Sequence, residues 1–285
     1  MIGVADDNAT RTAATDQGSR NLLMRVIAAL VLAPLTIAIA YAGGWLWAVL
    51  VMLAAIGLYV EWLMIVGASR NVAGTVVGVV ALVAAGFCLM AGRVDLAVAA
   101  VAIGAVTAAV AGSGLRSWTA GGALYAGLAL LASVVVRFDP TAGFLALVFV
   151  LLIVWITDIG GYFAGRGIGG PKLWPRVSPK KTWAGAVGGL AGSLVVATVF
   201  AVAGFGRMGP MLLLATVLSV VSQLGDLFES AVKRNFGVKD SSHIIPGHGG
   251  LLDRLDGFVA AIVVAALIGV LRGGIDGVGR GLMVW

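Results

Sequence analysis

The sequence predicts an all-α integral membrane protein with about nine transmembrane helices. Hydrophobic residues make up 60% of the chain, charged residues make up only 11%, and the mean hydropathy is +1.06. A soluble domain carries roughly 25% charged residues. Glycine contributes 42 of the 285 residues, which suits transmembrane helices because small residues let helix backbones approach closely. We see no strand pattern and no internal repeat.

Nine apolar runs are long enough to cross the hydrocarbon core, which takes about 20 residues. They cover residues 22–42, 45–66, 72–91, 94–112, 118–136, 142–164, 184–204, 208–230 and 252–271. The first run is too long for the core of a signal peptide, and Pro34 inside it is tolerable in a membrane span. Only Gly92 and Arg93 separate the third run from the fourth, so this boundary is the weakest.

The chain divides into four predicted parts, of which the first is polar and expected to be disordered. The predicted parts are a disordered cytoplasmic tail over 1–20, N-terminal transmembrane helices over 21–140, a catalytic transmembrane region over 141–272 and a short tail over 273–285.

The positive charges favour an N-terminus in the cytoplasm and a C-terminus outside, on the periplasmic side. With that orientation, 14 of the 19 Lys and Arg residues fall on cytoplasmic segments and 5 fall outside, as the positive-inside rule expects. Two long polar loops, 165–183 and 231–251, then lie on the cytoplasmic face of the inner membrane, where soluble nucleotides are found. We attribute the net charge of +6 to this topology and to phosphate binding, not to nucleic acid.

Five acidic residues lie at predicted cytoplasmic ends of helices. They are Asp158, Asp226, Glu229, Asp253 and Asp256. A carboxylate at the centre of the membrane costs about 2.5–3.5 kcal/mol on insertion scales, so these groups must face water, cations or one another. Asp158 and Asp226 lie near helix C-termini, where the macrodipole disfavours an anion and a bound cation would resolve the conflict.

Spacing groups the acids further. Asp253 and Asp256 are three residues apart and share one helix face, and Asp226, Glu229 and Lys233 form a second stripe. Two such stripes at adjacent helix ends would suit Mg²⁺, which prefers a few carboxylates together with substrate phosphates. Ordinary interfacial ion pairing is the alternative, and for Glu229 a simple pair with Lys233 is as good an interpretation as metal binding.

The first polar loop supplies groups suited to a triphosphate. Glycines between Asp158 and Gly170 would let the backbone approach a ligand closely. The candidate substrate-binding side chains of this loop are Arg166, Lys172, Ser178, Lys180, Lys181 and Thr182. The stretch follows no predicted strand and lacks the Walker order, so neither a Rossmann nor a P-loop interpretation applies. A basic juxtamembrane loop that binds anionic lipid heads is the alternative.

Two isolated polar residues have more than one interpretation. His248 sits in a turn just before a helix, where it would bind phosphate or act as an acid or base, and a structural turn histidine is the alternative. Glu61 stands alone inside the second span. There we expect it to form an interhelical hydrogen bond or ion pair.

The segment from Ser230 to Asp256 resembles the signature of the phosphatidate cytidylyltransferases (CDP-diacylglycerol synthases). The matching positions are Ser230, Lys233, Arg234, Lys239, Asp240, His248, Gly249, Gly250, Asp253, Arg254 and Asp256. The upstream stretches DIGGYFAGR and SPKKTWAG are similar to the family's second conserved block, and the N-terminal half agrees mainly in hydropathy and in the Glu61–Trp62 pair. Ala184 departs from the Glu or Gln that the family commonly has there, so no role is assigned to it.

The resemblance implies transfer of CMP from CTP to phosphatidic acid, giving CDP-diacylglycerol and pyrophosphate for phospholipid biosynthesis. It also implies a Mg²⁺-dependent site with K⁺ as a candidate second cation, a homodimer, and metal ligation by Asp226, Asp253 and Asp256. The implied catalytic set is Asp226, Lys233, Arg234, Lys239, Asp240, His248, Asp253 and Asp256. Asp158 and Arg254 join the substrate-binding side chains.

Two other functions are also compatible with these residues. A CTP-dependent lipid kinase, such as a polyprenol kinase, would use the same nucleotide but transfer its γ-phosphoryl group. An ion-coupled transporter would use membrane acids as relays. Transporters favour midplane sites and repeated halves, whereas these acids cluster on one face of the predicted bundle.

Overall fold

The computed structural model describes residues 33–112, 115–242 and 249–285 as an α-helical bundle. Within this part of the chain, eight helices are long and apolar enough to cross a membrane. They are α2 (Gly44–Ile65), α3 (Val72–Met90), α4 (Val94–Ala111), α5 (Arg116–Phe138), α6 (Gly143–Gly167), α7 (Trp183–Val202), α8 (Met208–Asn235) and α9 (Leu252–Gly273). A shorter apolar helix, α1 (Ala33–Ala42), precedes them. The predicted class, all-α with many spans, is confirmed.

Each of the eight long helices coincides with a predicted span. The remaining predicted span, 22–42, lies partly outside the described residues, as the predicted tail over 1–20 does entirely. The largest shift is in α8, which continues past residue 230, so Lys233 and Arg234 belong to a helix and not to a loop. The helix ends at Asn235. Gly237 follows with a φ of 70°, which permits hydrogen bonds from its own N–H to Arg234 O and from Val238 N–H to Lys233 O.

A β-hairpin connects α6 to α7, so the expectation of no strands is wrong. Strand β1 (Lys172–Trp174) pairs antiparallel with strand β2 (Ser178–Thr182), with Lys172 opposite Thr182. Strands of three and five residues are too short to establish an alternating pattern. Their Lys, Ser and Pro residues also resemble a loop in composition.

Glycines bring the backbones of α6 and α7 into contact. A Cβ atom at Gly189 would lie 2.5 Å from the Thr157 carbonyl oxygen, and one at Gly185 would lie 2.8 Å from the Gly161 oxygen. No real side chain tolerates such distances, so this crossing requires glycine at both positions. It fixes the end of α6 that carries Asp158 against the start of α7.

A second close crossing joins α8 to α9. A Cβ atom at Gly225 would lie 2.8 Å from the Asp256 carbonyl oxygen, and one at Gly257 would lie 2.7 Å from Ser222 Oγ. Helix α9 also packs against α5 and α2. The C-terminal ends of α2, α6 and α8 therefore meet the N-terminal ends of α7 and α9 at one end of the bundle.

The last residues, expected as a short tail, form a 3₁₀ turn (Ile275–Gly277) and the short helix α10 (Val278–Met283). Helix α10 packs against α9 and α6. The backbone N–H of Arg280 donates a 2.7 Å hydrogen bond to Asp139, which is buried between α5 and α6. This contact closes the end of the bundle opposite the predicted polar loops.

Candidate active site

A cavity of about 510 Å³ opens between α6, α7, α8 and the hairpin. The chemistry-bearing side chains that line it are Asp158, Arg166, Lys180, Lys181, Thr182 and Asp226. The sequence placed these residues in three separate segments, and the glycine crossing of α6 on α7 brings the first two segments together. Basic groups from the hairpin and from the end of α6 thus share one cavity with two carboxylates.

The N-terminus of α7 forms one wall of this cavity. The Thr182 side chain accepts a hydrogen bond from the Gly185 N–H at 3.0 Å and so caps the helix. Gly185 and Ala186 of the first turn also line the cavity. The partial positive charge of a helix N-terminus favours a phosphate at this wall.

Lys181 and Asp226 form an ion pair across the cavity. The Lys181 Nζ atom lies 2.5 Å from Asp226 Oδ2, and the two side chains are 27% and 33% exposed. Asp158 and Asp256 interact electrostatically with this pair. Lys181 therefore interacts with Asp158 and Asp256 as well as with Asp226.

A second charged cluster lies between α8 and α9. Lys233 Nζ is 2.6 Å from Glu229 and 2.6 Å from Asp253 Oδ1. The Asp253 carboxylate also accepts hydrogen bonds from the backbone N–H groups of Gly250 at 3.0 Å and Ser241 at 3.1 Å. The pairing alternative for Glu229 is thus the one that the structure adopts. Asp253 pairs with Lys233 from α8.

Glu61 makes contacts with the loop before α9 that the sequence did not reveal. Its side chain is 0% exposed and accepts hydrogen bonds from Leu251 N–H at 2.8 Å and Leu252 N–H at 2.7 Å. It also accepts from the hydroxyl groups of Ser241 and Ser242. The expected interhelical hydrogen bonding is confirmed. The signal available in the sequence was a lone carboxylate inside an apolar span, which is costly unless it is paired.

The predicted metal ligands do not gather at one point in the part of the chain that the structure describes. No group of three or more His, Cys, Asp or Glu side chains there has the geometry to hold a metal ion. Asp253 is turned toward Lys233 and two backbone N–H groups. Asp226 and Asp256 interact electrostatically with each other and with Asp158. These three side chains carry the hard oxygen donors that Mg²⁺ prefers, whereas the Asp253 carboxylate is already occupied by Lys233 and two backbone N–H groups.

Several predicted site residues lie outside the cavity. Lys172 and Ser178 belong to the hairpin but do not line the cavity. Arg234 is exposed and donates to the Val238 carbonyl oxygen, and Lys239 and Asp240 are exposed beyond the end of α8.

Two other predicted positions lie in the first turns of α9 and α7, and a third lies outside the described residues. Arg254 is exposed on the first turn of α9. Ala184 is half-buried in the first turn of α7, beside the wall that Gly185 forms. His248 lies outside the described residues.

Comparisons with known proteins identify the family of this chain. The model of the cytidylyltransferase family matches residues 23–271. A phosphatidate cytidylyltransferase from Brucella suis is 41% identical over 260 residues, covering 88% of this chain and 94% of the relative. Phosphatidate cytidylyltransferases from Bacillus subtilis and Haemophilus influenzae are each 45% identical, over 139 residues (48% of this chain and 52% of the relative) and 130 residues (44% and 45%). The chain belongs to the cytidylyltransferase family.

Proposed function

We propose that this protein transfers the CMP group of CTP to phosphatidate and releases pyrophosphate. The observation that carries the proposal is the shared cavity, in which Arg166, Lys180 and Lys181 face Asp158 and Asp226 in the C-terminal halves of membrane-spanning helices. Basic side chains suit a triphosphate, and this position suits a substrate whose acyl chains stay in the bilayer. The names of the relatives support the same reaction.

The chemistry is an in-line displacement at the α-phosphorus of CTP. A phosphate oxygen of the lipid forms the new P–O bond while the bond to the bridging oxygen of the β-phosphate breaks, and pyrophosphate leaves with that electron pair. The reaction needs no covalent enzyme intermediate, so catalysis consists of positioning and of neutralising charge. Lys180, Lys181 and Arg166 bind the triphosphate, and the N-terminus of α7 orients it.

A Mg²⁺ ion belongs to this proposal, held by Asp226 and Asp256 with Asp158 beside them. When bound, the ion supplies charge neutralisation between the reacting phosphates. Lys181 keeps Asp226 oriented toward the cavity through their 2.5 Å contact. Asp253 instead organises Lys233 and the loop before α9. A second cation such as K⁺ and a homodimer remain parts of the proposal that come from the family resemblance.

The uneven distribution of Lys and Arg residues indicates which side of the membrane the cavity faces. The multi-pass helices place the protein in a membrane, and 14 of the 19 basic residues fall on one predicted side. We place the cavity on the cytoplasmic face of the inner membrane for that reason, where CTP reaches it from solution and phosphatidate from the bilayer.

A CTP-dependent lipid kinase is the second candidate, because it would need the same basic cavity. Purified protein in mixed micelles of detergent and phosphatidate distinguishes the two when CTP is labelled in its α- or its γ-phosphate. We expect α-label in the lipid product and γ-label in pyrophosphate. Transfer of γ-label to lipid would overturn the proposal in favour of the kinase, and no transfer of either label would overturn both.

A further inference from the structure

We infer that Glu61 is a positioning residue for this reaction, holding both ends of the polar loop before α9 although it belongs to α2. The inference rests on the proposed function for its kinetic consequence, but its structural basis is independent of that function. Glu61 lies outside the cavity and touches none of its charged side chains in the part of the chain described. It acts through the loop that follows α8.

The two carboxylate oxygens of Glu61 divide four donors between them. Oε1 accepts from Leu251 N–H at 2.8 Å and Ser242 Oγ at 2.7 Å. Oε2 accepts from Leu252 N–H at 2.7 Å and Ser241 Oγ at 2.9 Å. Ser241 and Ser242 lie where the chain leaves the α8 region, and Leu251 and Leu252 begin α9. One side chain therefore joins the beginning of the loop to its end.

Asp253 on α9 binds the same loop ends as Glu61, and we call the two carboxylates together the clamp. Asp253 accepts from Ser241 N–H and from Gly250 N–H, and its Oδ1 also accepts from Lys233. Glu61 and Asp253 thus both bind the two ends of the loop. Both carboxylates also lie at the N-terminus of α9, where the helix dipole stabilises negative charge.

The space around the clamp is filled. A Cβ atom at Gly250 would collide with Ser241 Oγ and with the Glu61 carboxylate. Gly57 lies one helical turn before Glu61 on α2. A Cβ atom there would lie 2.8 Å from Leu251 Cδ2, so the absence of a side chain at Gly57 leaves room for Leu251. The signature glycine at 250 is therefore explained by the presence of Glu61, a residue far away in the sequence.

An amide cannot replace this carboxylate. Each oxygen of Glu61 receives one backbone N–H, and a backbone N–H can only donate. In a Glu61→Gln variant, the NH₂ group faces either Leu251 N–H or Leu252 N–H, whichever way the amide is turned. One buried backbone donor then loses its partner, and the start of α9 shifts away from α2.

The loop that Glu61 holds begins directly after Lys239 and Asp240 and ends before Asp253 and Asp256. A shift of its ends changes the position of Asp256 near the start of α9 and of Lys233, which is bonded to Asp253, and misplacement by about 1 Å can cost about 100-fold in rate. We expect Glu61→Gln to lower kcat/KM for CTP by about 10- to 100-fold while the KM for phosphatidate stays unchanged. A purely structural role would lower the amount of folded protein and leave the kinetic constants of the folded fraction unchanged.

Asp139 provides a matched control at the opposite end of the bundle. It is also a buried carboxylate with four donors, Thr141 N–H, Thr141 Oγ1, Ala142 N–H and Arg280 N–H. Asp139→Asn perturbs a comparable cap but not the loop. We expect it to lower the thermal stability and to leave kcat/KM for CTP at the wild-type value.

The experiment measures both variants in detergent, with kinetic constants corrected for the folded fraction and with hydrogen exchange of residues 249–256. Glu61→Gln should speed exchange at Leu251 and Leu252 and lower kcat/KM, while Asp139→Asn should do neither. Wild-type kinetics and wild-type exchange in Glu61→Gln would overturn the inference, as would an equal kinetic loss in Asp139→Asn. If Glu61→Gln does not fold, Ser241→Ala removes one donor to Glu61 and should give a smaller loss of the same kind. An unchanged kcat/KM in that variant would also overturn the inference.

If the proposed function is wrong, the measurements give a result that differs from failure of the Glu61 inference. Wild-type protein would then form no CDP-lipid from CTP and phosphatidate, while the exchange measurement would still report on the clamp.

Discussion

Lys233 on α8 donates to Asp253 on α9 at 2.6 Å, and the same ammonium group lies 2.6 Å from Glu229. One lysine thus contacts two carboxyl groups whose side chains are 2% and 15% exposed. The sequence places Lys233 in a polar loop that would bind the triphosphate. In the structure, the lysine is committed to an ionic link between two helices that carry the candidate site.

Replacing Lys233 by Met should destabilise the protein. Both carboxylates lose their common cation, and breaking a buried ion pair by removing one partner costs about 3–5 kcal/mol. Thermal unfolding in detergent measures the loss. Lys233→Arg keeps the charge and should retain most of the stability. Equal stability of Lys233→Met and wild type would contradict the structural role of this link.

Lys181→Met should weaken the use of CTP. Lys181 lines the cavity beside Asp226, and a hydrogen bond to a charged group contributes about 1.5–3 kcal/mol, so kcat/KM should fall by about 10- to 150-fold. Arg176→Met is the control, because Arg176 is an exposed basic residue of the same hairpin segment that does not line the cavity. If both variants lose the same activity, the cavity is not the nucleotide site.

The acids should separate into two groups by metal dependence. Asp226→Asn and Asp256→Asn remove proposed ligands, so the Mg²⁺ concentration for half-maximal activity should rise by at least about tenfold. Asp253→Asn disturbs Lys233 and the loop instead and should lower kcat at an unchanged Mg²⁺ requirement. Mn²⁺ binding followed by electron paramagnetic resonance checks the same order without turnover. Loss of Mn²⁺ binding in Asp253→Asn alone would reverse the assignment.

The crossing of α6 on α7 should not tolerate a side chain. In Gly189→Ala the new Cβ would meet the Thr157 carbonyl oxygen at 2.5 Å, and overpacking of this kind costs about 1–3 kcal/mol. Gly209→Ala is the matched control, since a Cβ there meets nothing within 4 Å. We expect a lower unfolding temperature for Gly189→Ala alone. A wild-type unfolding temperature in Gly189→Ala would show that the two helices can separate without cost.

Asp139 should make stability depend on acidic pH. Burial disfavours its charge, but hydrogen bonds from Arg280 N–H and from Thr141 outweigh burial and lower the pKa of Asp139 to about 2. Because the pKa is about 3.9 in an unfolded chain, the carboxylate stabilises the fold above that pH and loses this effect as the pH falls toward 2. Unfolding temperatures of wild type and Asp139→Asn should converge between pH 5 and pH 2. A constant difference between them would contradict this link.

Hydropathy alone predicts most of the fold. Eight of the nine predicted spans appear as α2 to α9, because a bilayer permits few alternatives to an apolar helix of about 20 residues. The errors fall where that constraint ends. The hairpin over 172–182 lies between spans, and α8 continues to Asn235 because its polar end is paired with charged groups instead of lipid.

The candidate site was predictable in its residue types but not in its grouping. Spacing along a helix correctly placed Glu229 beside Lys233. It could not separate Asp253 from Asp226 and Asp256, since that depends on which helix faces each carboxylate. It also could not connect Glu61 to Leu252, 191 positions apart in the chain.

The sequence by itself determined that this is a multi-span helical protein of the cytidylyltransferase type. The length of the apolar runs and the dense run of charged residues can be read from the sequence without knowing how the helices pack. Only the tertiary structure decided which charges work together. Glycine crossings set the distances between helices. At those distances Asp226 pairs with Lys181, Asp253 pairs with Lys233, and Glu61 binds the start of α9. Electrostatic interactions weaken with distance in space, and separation along the chain does not report that distance.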